Sequence, residues 1–319
     1  MGFYGVTVGT KGPALNPQVI AAMQDLGLSD LRFQVPWRLV EQSRGHYNWS
    51  LWDDAVAKCN AAGLNITLTI KQPPAFWQVR GLPSPQGTAL IAEAIASRYN
   101  GKSGHGSIAG IEIGNEDYDS APHTSPLPLA IALQAAYPVI KAMQPTLPVY
   151  MGAILQRNST HIKAFMDGLW AQAKGCFDIA NFHFYTCIPG NGHFDPSDGS
   201  VHNVPSLAQF IAILAQSHAQ AGCPNFPTRC TEFGFAVTPA FGRPARCVCR
   251  DQETQWQYLE YCYDQFRQAG FIVGADVFTL GFAHPPDGMS LVQNGGVKTV
   301  AYQNLKVYIA QNSVPDAAD

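Results

Sequence analysis

The sequence alternates eight times between a short apolar segment rich in β-branched and aromatic residues and a longer segment with helical periodicity. The first unit is typical: Phe3–Val8 reads FYGVTV, and a helical pattern then runs from Pro17 to Leu26 before Gly27. Strands that alternate with helices predict a parallel sheet. Eight such units predict a (β/α)8 TIM barrel, because right-handed crossovers then bury every strand without leaving an edge.

The pattern locates each element. The predicted strands are Phe3–Val8, Asp30–Val35, Leu64–Lys71, a short strand within Ile111–Asp117, Leu147–Ala153, Phe177–Tyr185, Thr228–Phe233 and Gly274–Leu280. The predicted helices after the first are Leu51–Ala62, Thr88–Arg98, Leu127–Met143, His161–Ala173, Ser206–Gln220, Asp251–Gln268 and Val297–Ala310. Composition does not change along the chain, so residues 1–319 are expected to form a single catalytic barrel domain.

An open doubly wound sheet is the structural alternative. That fold usually carries a glycine-rich phosphate loop after its first strand, and Gly9 and Gly12 do not have the spacing of such a loop. Five of the predicted strand-to-helix loops run to about 15 residues or more, longer than a simple barrel requires. In barrels this face carries the active site.

Composition restricts the partners. Charged residues make up 13% of the chain and the formal net charge is −3, which gives no sign of a nucleic-acid or anionic-membrane partner. No apolar run reaches transmembrane length. Aromatic residues at 11% suit a protein that holds flat ligands such as sugars. We expect an oligosaccharide or polysaccharide substrate and a monomer.

The eight cysteines indicate the compartment. None lies in a CxxC pair and no histidine has zinc-finger spacing from them, so no metal site and no cofactor is expected. The count favours a secreted protein with some disulfides, with buried thiols as the alternative. Asn48, Asn65 and Asn158 begin glycosylation sequons. No signal peptide is present, so Met1 is expected to replace a removed leader.

Two strands end in glutamate. The stretch IEIGNED runs from a short apolar strand into Asn115 and Glu116, and TRCTEF ends near Glu232. A carboxylate at such a position loses hydration and adds nothing to a core, which indicates a functional role. Glycoside hydrolysis needs two carboxyl groups at one mouth, about 5–5.5 Å apart for retention of configuration and about 6.5–9.5 Å apart for inversion. Glu116 and Glu232 are therefore the predicted catalytic pair.

Neighbouring strand ends supply candidate partners. Arg32, inside the barrel beside Gln34 on the same strand, would lower the pKa of Glu232 and keep it ionised. Tyr185 could donate a hydrogen bond to the same carboxylate. A less polar pocket around the second glutamate would raise its pKa, so that it starts protonated.

The remaining candidates line the same mouth. Asn115 could bind a sugar hydroxyl such as the 2-OH, and His183 is expected to be a hydrogen-bonding partner. The candidate sugar platforms in the loops are Trp37, Trp77, Tyr118 and Phe282. Helical Trp52, Trp170 and Trp256 are expected in the core, and Glu112 and Asp276 are expected to be buried structural acids.

These motifs together resemble those of clan A retaining glycoside hydrolases, the superfamily of cellulases, β-mannanases, β-xylosidases and iduronidases. IEIGNED resembles the clan's strand-four Asn-Glu motif, and TRCTEFGF its strand-seven motif. The His-x-Tyr of the sixth strand, Arg32, and the segment Gly45–Asp53 also match. The resemblance implies that Glu116 is the acid/base and Glu232 the nucleophile.

Two positions depart from the clan pattern. Asp117 follows the acid/base where many relatives have Pro or Asn, and Phe282 is the large aromatic near the eighth strand where many have Trp. The expected activity is cleavage of β-glycosidic bonds in a plant, fungal or microbial glycan by double displacement, with endo action slightly favoured over exo action of the xylosidase or arabinofuranosidase type. A non-catalytic sugar-binding barrel and a metal-dependent barrel hydrolase or isomerase are the alternatives.

Overall fold

The computed structural model describes residues 1–9, 15–116, 125–155, 157–185, 187–188, 192–193, 196–197, 204–237, 249–281, 288–293 and 296–313. Eight parallel strands alternate with helices in a (β/α)8 TIM barrel, which confirms the predicted fold class. The strands are β1 Tyr4–Gly9, β2 Asp30–Pro36, β3 Asn65–Lys71, β4 Gly110–Ile113, β5 Val149–Met151, β6 Ala180–Tyr185, β7 Thr228–Gly234 and β8 Ile272–Val277. The helices that follow them are α1 Pro17–Leu26, α2 Ser50–Ala61, α3 Pro85–Arg98, α4 Leu127–Met143, α5 Ser159–Ala173, α6 Leu207–Gln220, α7 Gln252–Gln268 and α8 Val300–Asn312.

The barrel closes between β5 and β6. Seven neighbouring pairs of strands form parallel ladders, with β1 lying between β8 and β2. β5 and β6 form no continuous ladder among the described residues, and the parallel bridges Tyr150–Ile179 and Ile154–Phe182 lie along the seam between them. The amide of His183 donates to the carbonyl of Ile154 across this seam at 3.0 Å. The seam therefore positions the functional end of β6 although its ladder is short.

Side-chain caps explain where several helices begin. Asn16 accepts a hydrogen bond from the amide of Gln18 before α1, and Asn158 accepts one from His161 before α5. Ser206 forms a capping box with Gln209 at the start of α6. At the end of α1, Gly27 has φ 76°, a left-handed conformation that favours glycine.

The long loops contain local structure that the sequence pattern does not reveal. The β2–α2 loop holds a one-turn helix, Trp37–Val40, and a hairpin of Glu41–Ser43 with His46–Tyr47. The β3–α3 loop holds a 3-10 turn, Ala75–Trp77, and a short hairpin in which Gln78–Val79 pairs with Leu82–Pro83. No helix in the described ranges has both the length and the apolar character that crossing a bilayer requires.

The apolar core lies between the strands and the helices. Trp52, Trp170 and Trp256 are buried there, as predicted.

The inside of the barrel, in contrast to this apolar layer, contains buried charged groups. At its amino-terminal end the Arg229 guanidinium donates to Asp276 at 2.6 Å and lies 3.9 Å from Asp30. Asp276 is therefore a buried, paired structural acid, as expected.

The described cysteines do not support the disulfide prediction. All six cysteines whose side chains are described are free thiols: Cys59, Cys176, Cys223, Cys230, Cys249 and Cys262. Four of them are buried and pack as small apolar residues, the alternative to disulfides considered above. Burial raises the pKa of Cys59 to about 12, which disfavours the reactive thiolate. The side chains of Cys187 and Cys247 lie outside the described part of the chain.

His218 of α6 is a buried titratable group on the outside of the barrel. Its Nδ1 accepts from the indole of Trp170 at 3.2 Å, and its Nε2 lies 2.9 Å from the hydroxyl of Thr228. The rings of Phe226 and Phe271 pack against it. Burial disfavours the charged ring and lowers the pKa of His218 to about 4.

This depressed pKa predicts a loss of stability in mild acid. Below the ordinary value of 6.5 the unfolded chain binds a proton at His218, whereas the folded ring stays neutral until about pH 4. The free energy of unfolding should therefore fall as the pH falls through this window, by up to about 3 kcal/mol from this group. Denaturant unfolding at a series of pH values measures the slope.

The matched variants are His218→Gln and His46→Gln, the second on an exposed hairpin residue. We expect a smaller acid slope only in His218→Gln. Equal slopes in wild type and His218→Gln would show that the ring does not cause the loss.

Candidate active site

Arg32 of β2 joins the acidic groups inside the barrel. The residue is 1% exposed. Its Nε and Nη2 donate to the two oxygens of Glu112 at 2.6 and 2.9 Å, and its Nη1 donates to Oε1 of Glu232 at 2.7 Å. Nη2 also donates to Oδ1 of Asn115 at 2.6 Å. One planar guanidinium therefore holds three acceptor residues in fixed relative positions. Glu112 belongs to β4, Asn115 to the loop after β4, and Glu232 to β7.

Glu112 of β4 lies one layer below the mouth. It is completely buried and also accepts from Thr69 Oγ1 and from Asn181 Nδ2, each at 2.6 Å. The expectation that Glu112 is a buried, paired acid is confirmed. A buried carboxylate needs this many donors because its ionised form is otherwise very unfavourable in a barrel interior.

Gly114 directly follows β4 and turns the chain toward the mouth. Its φ of 87° is accessible to glycine at little strain. Asn115 and Glu116 follow it, both partly exposed. Besides Arg32, Gln34 Nε2 donates to Asn115 Oδ1 at 3.0 Å, which orients the amide group. The loop is thus held from below by β2.

Glu232 of β7 lies in the same polar network. Its Oε1 accepts from Arg32 and from Gln34, and its Oε2 accepts from the Tyr185 hydroxyl at 2.6 Å. These are the contacts that the sequence predicts for Arg32 and Tyr185. The residue is 6% exposed, so its charge depends on these donors rather than on water.

A register shift in β7 brings two consecutive side chains into the interior. The ladder with β8 shifts between Cys230 and Phe233, and the ladder with β6 also shifts near this point. Regular alternation would send Thr231 and Glu232 to opposite faces. Instead both bond to residues inside the barrel. Such an irregularity redirects side chains near many active sites.

The charge state of Glu232 follows from its surroundings. Burial alone would raise the pKa of Glu232. The nearby His183 ring, the Arg32 guanidinium and the hydrogen bonds from Tyr185 and Arg32 together outweigh burial and lower the pKa of Glu232 below its usual range. The carboxyl group is therefore ionised at neutral pH, the state that a nucleophile needs.

Glu116 faces His183. The two residues approach at 2.7 Å, between Oε1 of Glu116 and Nδ1 of His183. The Glu116 side chain is 33% exposed and so is accessible from the mouth, whereas the His183 side chain is completely buried. Nδ1 of His183 also lies 3.7 Å from Oε2 of Glu232. His183 is therefore the hydrogen-bonding partner predicted from the sequence, and it lies between the two glutamates.

The two carboxyl groups are close together. One carboxylate oxygen of Glu116, one of Glu232 and a ring nitrogen of His183 all lie within 4.8 Å of one another. This is also the group in the described part of the chain whose atoms could ligate a metal ion. Glu232 already accepts hydrogen bonds from Arg32, Gln34 and Tyr185, so an ion would have to compete with these donors.

Two predicted sugar platforms are wrong. Trp37 is completely buried and Trp77 is 7% exposed. Both indole N–H groups donate to the buried carboxylate of Glu41, at 2.6 Å from Trp37 and 3.0 Å from Trp77. Glu41 also accepts from the amide of Gly45 at 2.8 Å. Neither ring offers a face to a sugar; the pair ties the β2–α2 and β3–α3 loops together instead.

Phe278 is an aromatic residue at the mouth that the sequence prediction misses. β8 ends at Val277, three residues earlier than predicted, so Phe278 rather than Phe282 directly follows the strand. It is partly exposed, and its ring lies edge-on to Tyr185 at 6.3 Å. Tyr118, Phe282 and Asp117 lie outside the described residues.

Lys71 is a second residue that the prediction did not single out. It ends β3, and its Nζ donates to Oε1 of Gln34. The periodicity of β3 could have identified it. Thr67, Thr69 and Lys71 are two residues apart and so share one face of the strand, and Thr69 on that face donates to Glu112 inside the barrel. Lys71 thus orients the amide of Gln34 toward Glu232.

Solved structures share this architecture. The chain is similar to a family 39 glycoside hydrolase from Bacteroides cellulosilyticus WH2, with a TM-score of 0.69 and 17% identity over 95% of this chain and 62% of that one. It is similar to the exo-β-1,4-mannosidase Op5Man5 from Opitutaceae bacterium strain TAV5, with a TM-score of 0.66 and 17% identity over 97% and 59% of the two chains. A monomeric β-xylosidase from Caulobacter crescentus CB15 has a TM-score of 0.68 and 15% identity over 97% and 68%.

The likeness shows the fold. No protein-family model matches the chain, and no curated protein matches it. The chain spans about three fifths of the length of the family 39 hydrolase and of the mannosidase. The likeness therefore concerns the (β/α)8 barrel, and the activity depends on the side chains at its mouth rather than on the fold.

Arg32→Met tests the network that holds the site together. The variant leaves Glu112 and Glu232 buried without their shared cation, and we expect unfolding free energy to fall by about 3–5 kcal/mol. Denaturant unfolding measures this loss. The control is Arg98→Met, which removes a guanidinium from a partly exposed pair with Asp53 and should cost about 1 kcal/mol or less. Equal losses in both variants would contradict the role given to Arg32.

Proposed function

We propose that the protein is a retaining glycoside hydrolase that cleaves β-glycosidic bonds of a plant, fungal or microbial glycan by double displacement. The observation that carries the proposal is the carboxyl pair, with one oxygen of Glu116 and one of Glu232 within 4.8 Å. Carboxyl groups about 5–5.5 Å apart are typical of retaining enzymes, whereas inverting enzymes need about 6.5–9.5 Å to fit a water. The spacing supports direct attack by one carboxylate.

In the first step Glu232 is the nucleophile. Its carboxylate attacks the anomeric carbon while Glu116 gives its proton to the glycosidic oxygen, and the leaving group departs as an alcohol. Oε1 of Glu232 accepts from two donors, Arg32 and Gln34, whereas Oε2 accepts from the Tyr185 hydroxyl and lies on the side of His183 and Glu116, so we assign Oε2 as the attacking oxygen. The product of this step is a glycosyl ester of Glu232.

In the second step Glu116 reverses its role. Its carboxylate removes a proton from water, the water oxygen attacks the anomeric carbon, and Glu232 leaves as a carboxylate. Two inversions give net retention. The exposure of Glu116 supports this role, since its side chain is 33% exposed and water can reach it from the mouth.

The surrounding groups have supporting roles in this proposal. Arg32 and Tyr185 keep Glu232 ionised and fix its orientation. Asn115, whose oxygen is held by Arg32 and Gln34, would present its amide to a sugar hydroxyl such as the 2-OH. Phe278, partly exposed beside Tyr185, is the described candidate for an aromatic sugar contact.

Linkage and mode of action are finer proposals. A β-linkage is supported by the structural neighbours described as a β-xylosidase and an exo-β-1,4-mannosidase. Endo action stays a prediction from the sequence, and the exo-acting neighbour gives it no support. The length distribution of the first products from a polysaccharide separates the two modes.

Extracellular location also stays a proposal. It is supported by the glycosylation sequons in the sequence and by the proposed glycan substrate. Asn158 is exposed immediately before α5, a position where an attached N-linked glycan has room. The six free thiols give the proposal no support. A monomeric single-domain enzyme is likewise proposed, and the molar mass in solution measures it.

The pair assignment predicts large losses of activity. Glu116→Gln and Glu232→Gln should each lower kcat/KM on an unactivated glycoside by at least about 100-fold, since each removes an acid, base or nucleophile. Glu41→Gln is the matched control because it removes a buried carboxylate on the same face but outside the pair. A panel of aryl glycosides and polysaccharides identifies the glycoside used.

Azide distinguishes the two roles. In Glu116→Ala, azide should attack the glycosyl ester of Glu232 and restore turnover of an activated aryl glycoside, giving a glycosyl azide of retained configuration. In Glu232→Ala it should attack in place of the missing nucleophile and give the inverted azide. Near-wild-type activity of either glutamine variant would refute the pair, and sugar binding without product release would support the non-catalytic barrel.

A further inference from the structure

We propose that Thr231 and Asn181 are positioning residues that keep the proton of the neutral His183 ring on Nε2. Glu116 then faces an unprotonated Nδ1 and must itself hold the proton that passes to the leaving group. The inference rests on the proposed function, in which Glu116 is the acid. It follows from the hydrogen-bond donors and acceptors in one continuous buried chain.

The chain starts at Glu112. The Arg32 guanidinium has donors and no acceptor, so both oxygens of Glu112 accept from it. Asn181 reaches Oε1 of Glu112 with its side-chain amide at 2.6 Å. Only the NH2 end of that amide can satisfy an ionised carboxylate, and this fixes which end of Asn181 is nitrogen and which is oxygen.

Thr231 is the next member. Its Oγ1 lies 2.7 Å from Oδ1 of Asn181, an oxygen that carries no hydrogen. The Thr231 hydroxyl must therefore donate its single proton to Asn181. The same Oγ1 lies 3.0 Å from Nε2 of His183. Since the hydroxyl proton is already used, this contact is a hydrogen bond only when Nε2 is the donor.

His183 transmits the assignment to Glu116. A neutral imidazole carries one N–H, so a proton on Nε2 leaves a lone pair on Nδ1. Nδ1 lies 2.7 Å from Oε1 of Glu116. That short contact is favourable when Glu116 is protonated and donates to the ring. The acid form needed for the first step is thereby the form that the network selects.

The same geometry favours the return of the proton. After Glu116 gives its proton to the leaving group, its carboxylate faces the Nδ1 lone pair at hydrogen-bonding distance. This contact is repulsive until Glu116 removes a proton from the attacking water in the second step. The ring therefore favours both proton transfers without gaining or losing a proton itself.

The charged and titratable groups around His183 come from several elements. They are Glu116 after β4, Glu232 on β7, Tyr185 on β6 itself, and Arg32 on β2 with Glu112 on β4. All of them are retained in the Thr231 variants described below. A difference in pH dependence among those variants therefore reports the hydroxyl of Thr231.

Nitrogen NMR reads the tautomer directly. In protein labelled with 15N-histidine, the His183 signals are assigned by their absence in His183→Gln. We expect Nε2 to carry the proton and Nδ1 to show the shift of an unprotonated nitrogen across the pH range of activity. A proton on Nδ1 in that range, with or without one on Nε2, would overturn the inference. This measurement needs no substrate.

Thr231→Val tests the consequence for activity. Valine preserves the shape of threonine and removes the acceptor of the Nε2 proton, so the ring can shift its proton to Nδ1 and leave Glu116 ionised. On an unactivated glycoside we expect kcat to fall by about 10–100-fold, part of the usual gain from acid catalysis. On a 2,4-dinitrophenyl glycoside, whose leaving group needs no proton, kcat should change little. The pH–rate profile on the unactivated glycoside should lose its alkaline limb.

Two variants provide controls. Thr231→Ser keeps the hydroxyl and should keep both the leaving-group dependence and the pH profile of the wild type. Thr7→Val removes another buried hydroxyl, one that donates to the backbone carbonyl of Thr231 rather than to its side chain. It should lose stability without changing the pH profile.

The outcomes separate this inference from the proposed function. The positioning role is refuted if Thr231→Val and Thr7→Val show the same ratio of kcat on the unactivated glycoside to kcat on the dinitrophenyl glycoside, or if the NMR finds the proton on Nδ1. Neither result bears on the roles of Glu116 and Glu232. If Glu116→Gln and Glu232→Gln remain active, the proposed function fails, whatever the tautomer of His183. Should Thr231→Val not fold, the NMR measurement on the wild type decides.

Discussion

The ion pair from Arg32 to Glu112 and Glu232 is the interaction on which the rest of the site depends. Buried charges are unfavourable unless they are paired and fully hydrogen-bonded, and this barrel places two carboxylates and one guanidinium almost out of contact with water. The same guanidinium orients Asn115, and through Glu112 it fixes Asn181, Thr231 and His183 in turn. The ionisation of Glu232 and the hydrogen-bond chain on which the proposed role of Thr231 rests thus both start at Arg32 of β2.

The sequence was sufficient for the fold and for much of the site. Eight strand patterns that alternate with eight helix patterns are compatible with few topologies. Because the carboxyl ends of barrel strands meet at one mouth, the sequence alone predicts that Glu116, Glu232, Arg32 and Tyr185 lie together. Their contacts follow from simple charge and hydrogen-bond complementarity. The buried role of Glu112 was also accessible, because strand parity directs it inward below Glu116.

Other features depend on tertiary packing that local patterns do not encode. Trp37 and Trp77 lie in loops at the mouth of the barrel, but both indole N–H groups donate to the buried carboxylate of Glu41, and both rings are buried. The register shift in β7 violates the alternation on which strand parity rests, so the inward position of Thr231 beside Glu232 was not predictable. Phe278 was missed because the end of β8 lies three residues before the predicted end.

The central claim is that Glu232 attacks the anomeric carbon, and covalent trapping tests it most directly. The 2-deoxy-2-fluoro analogue of a glycoside that the protein cleaves, with a dinitrophenyl leaving group, should form the glycosyl ester faster than water removes it. Mass spectrometry of peptides should then place the sugar on Glu232, with one sugar per protein molecule. A sugar on any other residue, or no ester together with an inverted first product, would contradict the account.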